Sequence, residues 1–398
     1  MLQGIRILSF THFLQGPSAV QMLADLGADV IKIEPPGGAF ERSFAGCNAY
    51  VNDMSVLFLA ANRNQRSLAI NLKEQAGKEI IYKLIERTDV VIENYRPGVM
   101  DRLGFGYERL KEINPRLIYA SLTGYGSDGP YRDKPGQDLL VQSLSGMTLL
   151  THGSGGRPTP IGMTAVDQHA AVLGAFGVLA ALFRRERTGE GGKVESNLLS
   201  AALDLQIEPF NYYLNIGKLW DMPDTGISTR FHSAPYGVYR TKDGWITMSL
   251  NPIDRMAAAF ETDKFEGYAA GDEMKRRDEI DAIVAELLTE KTTEEWLARF
   301  EKHAIWCAPV RTYDEVAADP QVAWNRSIME VRHPDAGTVR LLGHPVKYEG
   351  YDCGVRRHPP RLGEHTAELL RETGYSAEEI RKLLEDKVVF GSAVNPAE

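Results

Sequence analysis

The stretch IRILSFTHFLQGPSAVQMLADLGADVIKIE, residues 5–34, decides the fold. Ile5 to Phe10 is rich in branched apolar residues and Ala28 to Glu34 is a second such run, the composition of buried strands. Between them Ala19, Met22, Leu23 and Leu26 fall at helical spacing. Gly16-Pro17 opens that helix and Gly27 closes it, following the preference for proline at helix starts and glycine just past helix ends. The whole unit has the length of a βαβ crossover.

The alternation continues with a short strand at Leu68 to Leu72, a helix carrying Ile80, Ile81, Leu84 and Ile85, and a strand at Val90 to Glu93. A helix around Tyr107 to Ile113 and a strand at Leu117 to Leu122 follow. Strands and helices in this order predict an α/β fold, a doubly wound, mostly parallel sheet with ligands beyond the carboxyl ends of its strands. After about Asp221 the texture changes. Pro223, Gly226 and the polar stretch Ser228 to Ser233 read as a linker, and two strands flank Thr241-Lys242-Asp243-Gly244. Charged amphipathic helices run from Glu273 to Leu288 and from Thr293 to His303, before strand-like patterning near Ala308-Pro309-Val310. Two helices, Glu364 to Glu372 and Ala377 to Glu385, end the chain. The expected organisation is a large α/β domain begun by residues 1–220, a linker and smaller α+β domain over 221–310, and a return segment, 311–398, that completes the large domain.

With 398 residues, 43% of them hydrophobic, the chain exceeds what one core normally holds. A formal net charge of −9 provides no basic field for nucleic acid or an anionic membrane. Cys47, Cys307 and Cys353 are odd in number and far apart, which fits neither a disulfide framework nor a zinc site and points to a reducing, cytoplasmic setting. The start, MLQGIRILSF, reads as a strand and not as a signal peptide, and the longest apolar run, Ala170 to Phe183, falls short of the roughly 20 residues that span a bilayer.

Gly124-Tyr125-Gly126-Ser127-Asp128-Gly129 matches the dinucleotide pattern GxGxxG, but Pro130-Tyr131-Arg132-Asp133-Lys134-Pro135 follows, where that motif needs an apolar helix. These glycines are read as a flexible loop on the substrate side. Asp167 precedes the apolar helix Ala170 to Phe183, so its carboxylate is either an N-cap or an oxygen nucleophile kept ionised by free amides and the helix dipole. Asp138, in Pro135-Gly136-Gln137-Asp138, reads on its own as a turn or cap. Asn94-Tyr95-Arg96-Pro97-Gly98 follows a strand end, and with Arg63, Arg66, Lys73 and Arg102 it makes a locally basic region. That region is either a solvated face of ion pairs or a site for a phosphorylated ligand. The histidines, including His12, His169, His232 and His344, lack paired metal-ligand spacing, so no metal is expected. No Gly-x-Ser-x-Gly elbow supports a serine hydrolase.

In order along the chain, these segments resemble the class III CoA-transferase family, the CaiB/BaiF-like group that includes formyl-CoA transferase, carnitine CoA-transferase and α-methylacyl-CoA racemase. The resemblance rests on Gly16-Pro17 with Met22 to Glu34, Glu93 to Gly98 with Leu103-Gly104, and Asn114 to Ile118. Thr123 to Gly126, Gly129-Pro130-Tyr131 and Leu362 to Thr366 complete it. It implies a nucleophilic Asp at Asp167, with Asp138 as an acidic neighbour. It also implies CoA contacts from Ile70, Lys73, Asn94, Tyr95, Arg102, Leu103 and Gln137. The substrates implied are acyl-CoA and small carboxylic acids, with no permanently bound cofactor, and the assembly implied is a homodimer of interlocked chains. Two departures stand out. Racemases of the family carry His where this chain has Gln137, and the glycine-rich loop of formyl-CoA transferase is matched here by His232-Ser233-Ala234-Pro235-Tyr236. The first disfavours the competing reading as a CoA-ester racemase or isomerase; a CoA-binding protein without turnover is the other competitor.

Overall fold

The computed structural model describes residues 1–151, 157–221 and 229–391, and the chain divides into two compact units. One is built from Met1–Val141, Thr164–Leu205 and the described part of Pro320–Glu398, the other from the described parts of Gln142–Met163 and Gln206–Asp319. Pro223, Gly226 and Ser228, read above as linker, lie outside the described residues.

The larger unit is organised by a seven-stranded sheet. Its parallel strands are Arg6–Phe10 (β1), Asp29–Glu34 (β2), Gln65–Ile70 (β3), Val90–Glu93 (β4), Ile118–Thr123 (β5) and Gly192–Asn197 (β6). Across the sheet the order is β3, β2, β1, β4, β5, β6, with the two-residue strand Val389–Phe390 added antiparallel outside β3. The chain starts at β1, winds outward to β3, then crosses back to β4 and winds the other way. The loops leaving β1 and β4 therefore diverge, and in open α/β sheets that point is a crevice.

Side chains alternate between the faces with period two. Ile7, Val30, Val90, Ile92, Ile118 and Ala120 face the helices Gln15–Asp25 (α1) and Ala165–Thr188. Leu8, Phe10, Ile31, Ile33, Leu68 and Val91 face the other side, against Gln75–Ile85 (α2) and the two final helices, Thr366–Glu372 and Ala377–Glu385. Burial on both faces explains why the strands read as continuous apolar runs. The helix Ala165–Thr188 (α3) corrects the membrane argument above: at 24 residues it is long and apolar enough to span a bilayer. Its Ala171, Ala175, Val178 and Leu182 are buried against the sheet, as in a core helix.

Two strand readings are corrected. β3 begins at Gln65, before the expected Leu68, because polar residues are buried there with their partners supplied: Arg66 pairs with Asp29 at 2.6 Å and Glu372 at 2.5 Å, and Ser67 donates to Glu34 at 2.6 Å. β6 escaped notice because Gly192-Lys193-Val194-Glu195-Ser196-Asn197 is an edge strand with no apolar run.

The smaller unit has a three-stranded antiparallel sheet of Gly237–Arg240 (β7), Trp245–Met248 (β8) and Cys307–Pro309 (β9), with β8 in the middle. Helices Arg277–Leu288 and Thr293–Lys302 bring Ile280, Val284, Trp296 and Phe300 into its core with Phe260. Thr292 and Glu295 form a capping box, and the indole of Trp296 donates to the Leu288 carbonyl at 2.9 Å.

One buried ion pair braces the turn out of β1. Lys32 Nζ lies 2.8 Å from Glu41 Oε1, both side chains fully buried, and also donates to the Thr11 carbonyl at 3.0 Å. Glu41 Oε2 accepts from the Phe13 amide at 2.9 Å. Removing one partner strands the other charge, so Glu41→Ala is expected to cost about 3–5 kcal/mol in urea unfolding. The double replacement Lys32→Met with Glu41→Leu should recover at least half of that loss; a single variant within about 1 kcal/mol of wild type would show that the pair carries no such load.

Candidate functional site

β1, β4 and β5 each end at the same edge, and the turns that follow enclose a cavity of about 380 Å³. Its wall is residues 12–15 after β1, 94–97 after β4 and 122–125 at the end of β5, together with residues 134–137, Arg132, Leu140, Asp167 and Leu198. All of these belong to the larger unit. The cavity lies where the strand order reverses, the expected place for a ligand.

The wall is held by side chains acting on backbone. Asn94 Oδ1 accepts from the His12 amide and Asn94 Nδ2 donates to the His12 carbonyl, both at 2.9 Å, so one amide ties the two diverging loops together. Gly16 permits that closeness: a Cβ there would sit 2.6 Å from Thr11 Cβ and 3.0 Å from Asn94 Cγ. Glu93, buried at the end of β4, accepts from the Tyr95 amide at 2.9 Å and from the Ser121 hydroxyl, and burial pushes its carboxyl up to about 7. Tyr95 in turn stacks on His12, with ring centroids 5.3 Å apart. Burial lowers the pKa of His12, which favours the neutral imidazole at pH 7.

Asp167 corrects the capping expectation. α3 starts at Ala165 with Thr164 as N-cap, so Asp167 lies inside the first turn and does not cap the helix. Its backbone amide donates to Asp138 Oδ2 at 3.0 Å, which brings a second buried carboxyl beside it. Free amides and the dipole at the helix start favour an ionised Asp167. Burial, and then the charge of Asp138, act the other way and push its pKa up to about 7.

Of the residues singled out, Asn94, Tyr95, Gln137 and Asp167 line the cavity together. Asp138 stands behind Asp167, outside the lining. Ile70 is in the sheet core opposite Val389, Lys73 is exposed just past β3, and Arg102 and Leu103 end the short helix Val99–Leu103. None of these four lines the cavity. Arg63 and Arg66 are used as ion-pair partners, Arg63 with Asp25 at 2.6 Å and Arg66 with Asp29, Glu368 and Glu372. The loop at Gly124 makes a tight crossing: a Cβ on Gly124 would lie 2.7 Å from Gly136 Cα, so neither glycine has room for a side chain. Sequence reasoning weighed His12 only as a metal ligand and missed Gln15; neither carries a local signal for this cavity. It also passed over Arg132 and Lys134, cations at the cavity wall in the very segment that argued against a dinucleotide fold.

A doubly wound sheet with a buried carboxyl in the crevice at its switch point is the architecture of an α/β ligand-binding unit, and comparison with known proteins makes the class specific. The family model described as CoA-transferase family III matches residues 2–366. Succinyl-CoA:glutarate CoA-transferase of Mus musculus is 33% identical over 395 residues, covering 96% of this chain and 89% of that protein. Formyl-CoA:oxalate CoA-transferase of Streptomyces avermitilis is 32% identical, covering 98% of this chain and 99% of that one. Among solved structures, a CAIB/BAIF family protein from Brucella suis superposes with a TM-score of 0.82 at 29% identity, covering 94% of this chain and 99% of that chain. The chain belongs to CoA-transferase family III and is an acyl-CoA:carboxylate CoA-transferase.

The raised pKa of Asp167 makes a stability prediction with a definite sign. Its folded value near 7 exceeds the unfolded 3.8, so the folded state holds a proton that the unfolded chain has lost, and stability falls as pH rises between those values. Asp167→Asn should be nearly neutral below pH 4 and stabilising above pH 7, by up to roughly 4 kcal/mol. Thermal melts of both proteins across that range give the comparison; an Asn variant no more stable at pH 8 than at pH 4 contradicts the burial argument.

Proposed function

We propose that the chain moves coenzyme A from an acyl-CoA donor to a small carboxylic or dicarboxylic acid through covalent intermediates on Asp167. The observation that carries this is a buried aspartate in the wall of the switch-point cavity, paired with a second carboxyl. One oxygen of Asp167 attacks the thioester carbonyl, CoA leaves as thiolate, and a mixed anhydride forms. The thiolate attacks the Asp167 carbonyl of the anhydride, releases the donor acid and leaves an aspartyl-CoA thioester. The acceptor carboxylate repeats the sequence in reverse and leaves with CoA, restoring Asp167.

The environment of Asp167 suits both demands of this chemistry. A carboxylate with a pKa near 7 is more basic, hence more nucleophilic, than a solvated one, and enough of it is ionised at neutral pH to react. Burial that raises the pKa also limits the water that would hydrolyse an anhydride. Arg96, Arg132 and Lys134, exposed at the wall, provide positive charge for the phosphates of CoA. Asn94 contributes by fixing the loop, since both ends of its amide are engaged on His12, and Tyr95 and Gln137 contribute surface to the ligand. Ile70, Lys73, Arg102 and Leu103 remain candidates for the outer part of a CoA site, and the interlocked homodimer remains part of the proposal. The succinyl-CoA:glutarate and formyl-CoA:oxalate relatives make succinyl-CoA and formyl-CoA the first donors to try, with glutarate and oxalate as acceptors.

Incubation with acyl-CoA followed by hydroxylamine should leave a hydroxamate on the peptide containing residue 167, read by mass spectrometry, and Asp167→Ala should abolish turnover. With an active donor, kcat/KM should rise with pH through about 7 as Asp167 ionises. An unmodified peptide across a broad donor panel would favour binding without turnover, and α-hydrogen exchange without CoA transfer would favour the isomerase reading. Sedimentation at twice the chain mass is the expected result for the dimer.

A further inference from the structure

The cavity wall contains buried polar side-chain atoms with no hydrogen-bond partner among the described residues. Gln15 is the first residue of α1, only 5% exposed, and it lines the cavity. Its Nε2 is shut off from solvent and has no hydrogen-bond partner among the described residues. The same holds for Nδ1 of His12, one turn of loop earlier in the same wall. Leaving a buried polar group unpaired is costly, so in a cavity wall such a group marks a place where a ligand can supply the partner. α1 adds to this. Its N-cap, Leu14, makes no side-chain hydrogen bond and its first turn carries no acidic residue, so the partial positive charge of this helix end is uncompensated at the cavity.

We infer that Gln15 is a catalytic residue whose side-chain amide donates to the oxyanion formed when the Asp167 carboxylate adds to a thioester carbonyl. This rests on the role proposed for Asp167. In that step a lone pair on the Asp167 oxygen forms a bond to the carbonyl carbon, and the carbonyl π pair moves onto its oxygen. The tetrahedral adduct then collapses: the C=O bond re-forms, the C–S bond breaks, and its electron pair leaves with the CoA thiolate. Negative charge passes from Asp167 to the acyl oxygen and then to sulfur, with no proton transferred. The demand is for a donor directed at the acyl oxygen that does not clamp the nucleophile beforehand. A cation there would hold Asp167 as a ground-state ion pair, whereas a neutral amide favours the transition state. The amide and cationic side chains elsewhere in the cavity wall do not fit this place. The Asn94 amide is engaged at both ends, Gln137 is exposed, and Arg96, Arg132 and Lys134 are exposed cations.

The test uses rapid mixing of the full-length chain with acetyl-, formyl- or succinyl-CoA and hydroxylamine trapping at residue 167. Gln15→Ala and the volume-conserving Gln15→Met should slow single-turnover labelling of Asp167 by about 10²-fold, the usual loss for one oxyanion donor. CoA affinity, read by calorimetry with CoA itself, should stay within about threefold, separating a loss in the chemical step from a loss of binding. Labelling by both variants at rates within about threefold of wild type, where wild type is labelled and Asp167→Asn is not, would overturn the role of Gln15 and leave that of Asp167 standing. Absence of label on wild type with every donor would instead remove Asp167 as nucleophile, and the inference about Gln15 with it. A Gln15→Met chain that melts within a few degrees of wild type and yet labels slowly is the supporting result.

Discussion

Two parallel strands side by side, β1 and β4, send their chains away in opposite directions, and the larger unit is arranged around the gap this leaves. Such a gap exposes backbone that the sheet no longer pairs, and it has to be closed without being filled. The chain closes it with polar side chains reaching to main-chain atoms: Asn94 to both backbone groups of His12, Lys32 to the Thr11 carbonyl, Glu41 to the Phe13 amide and Glu93 to the Tyr95 amide. Phe13 takes a left-handed backbone, φ 68°, a conformation that costs a non-glycine residue roughly 1–2 kcal/mol and that its amide's bond to Glu41 helps to hold. The result is a rim tied together by side-chain-to-backbone hydrogen bonds around the cavity.

Placing charged groups in that rim creates the opposing pressures that define the site. Lys32 and Glu41 are both buried and answer one another. Asp167 and Asp138 are both buried and have the same sign, so burial and mutual repulsion together resist the ionisation of Asp167. A carboxyl that ionises near neutrality is the result. α3 sets the geometry: its first turn carries Asp167 to the cavity while its later turns bury Ala171, Ala175 and Val178 against the sheet. Cavity wall and core packing thus share one helix, and its apolar composition serves the core.

How much could be read from the chain follows from what each feature depends on. Local periodicity and punctuation fixed β1, α1, β2, α2, β4 and the final helices, because apolar spacing and the Gly-Pro and Gly boundaries are properties of neighbours in sequence. The βαβ alternation then fixed the parallel sheet, and the ordered motifs fixed the family and pointed to Asp167. Where burial runs against residue type, the sequence was silent. β3 starts in polar residues because Asp29, Glu34 and Glu372 come from elsewhere to satisfy them, and β6 is an edge strand without an apolar signature. Arg63 and Arg66 looked available for phosphate only until their carboxylate partners, distant along the chain, were known. The sequence by itself determined most of the elements that form and the family to which the chain belongs. Only the tertiary structure decided that Asp167 sits within a helical turn beside Asp138 with a pKa near 7, and that Gln15 faces the same cavity with its amide unpaired, because burial and proximity across the sheet's switch point are set by residues far apart in the chain.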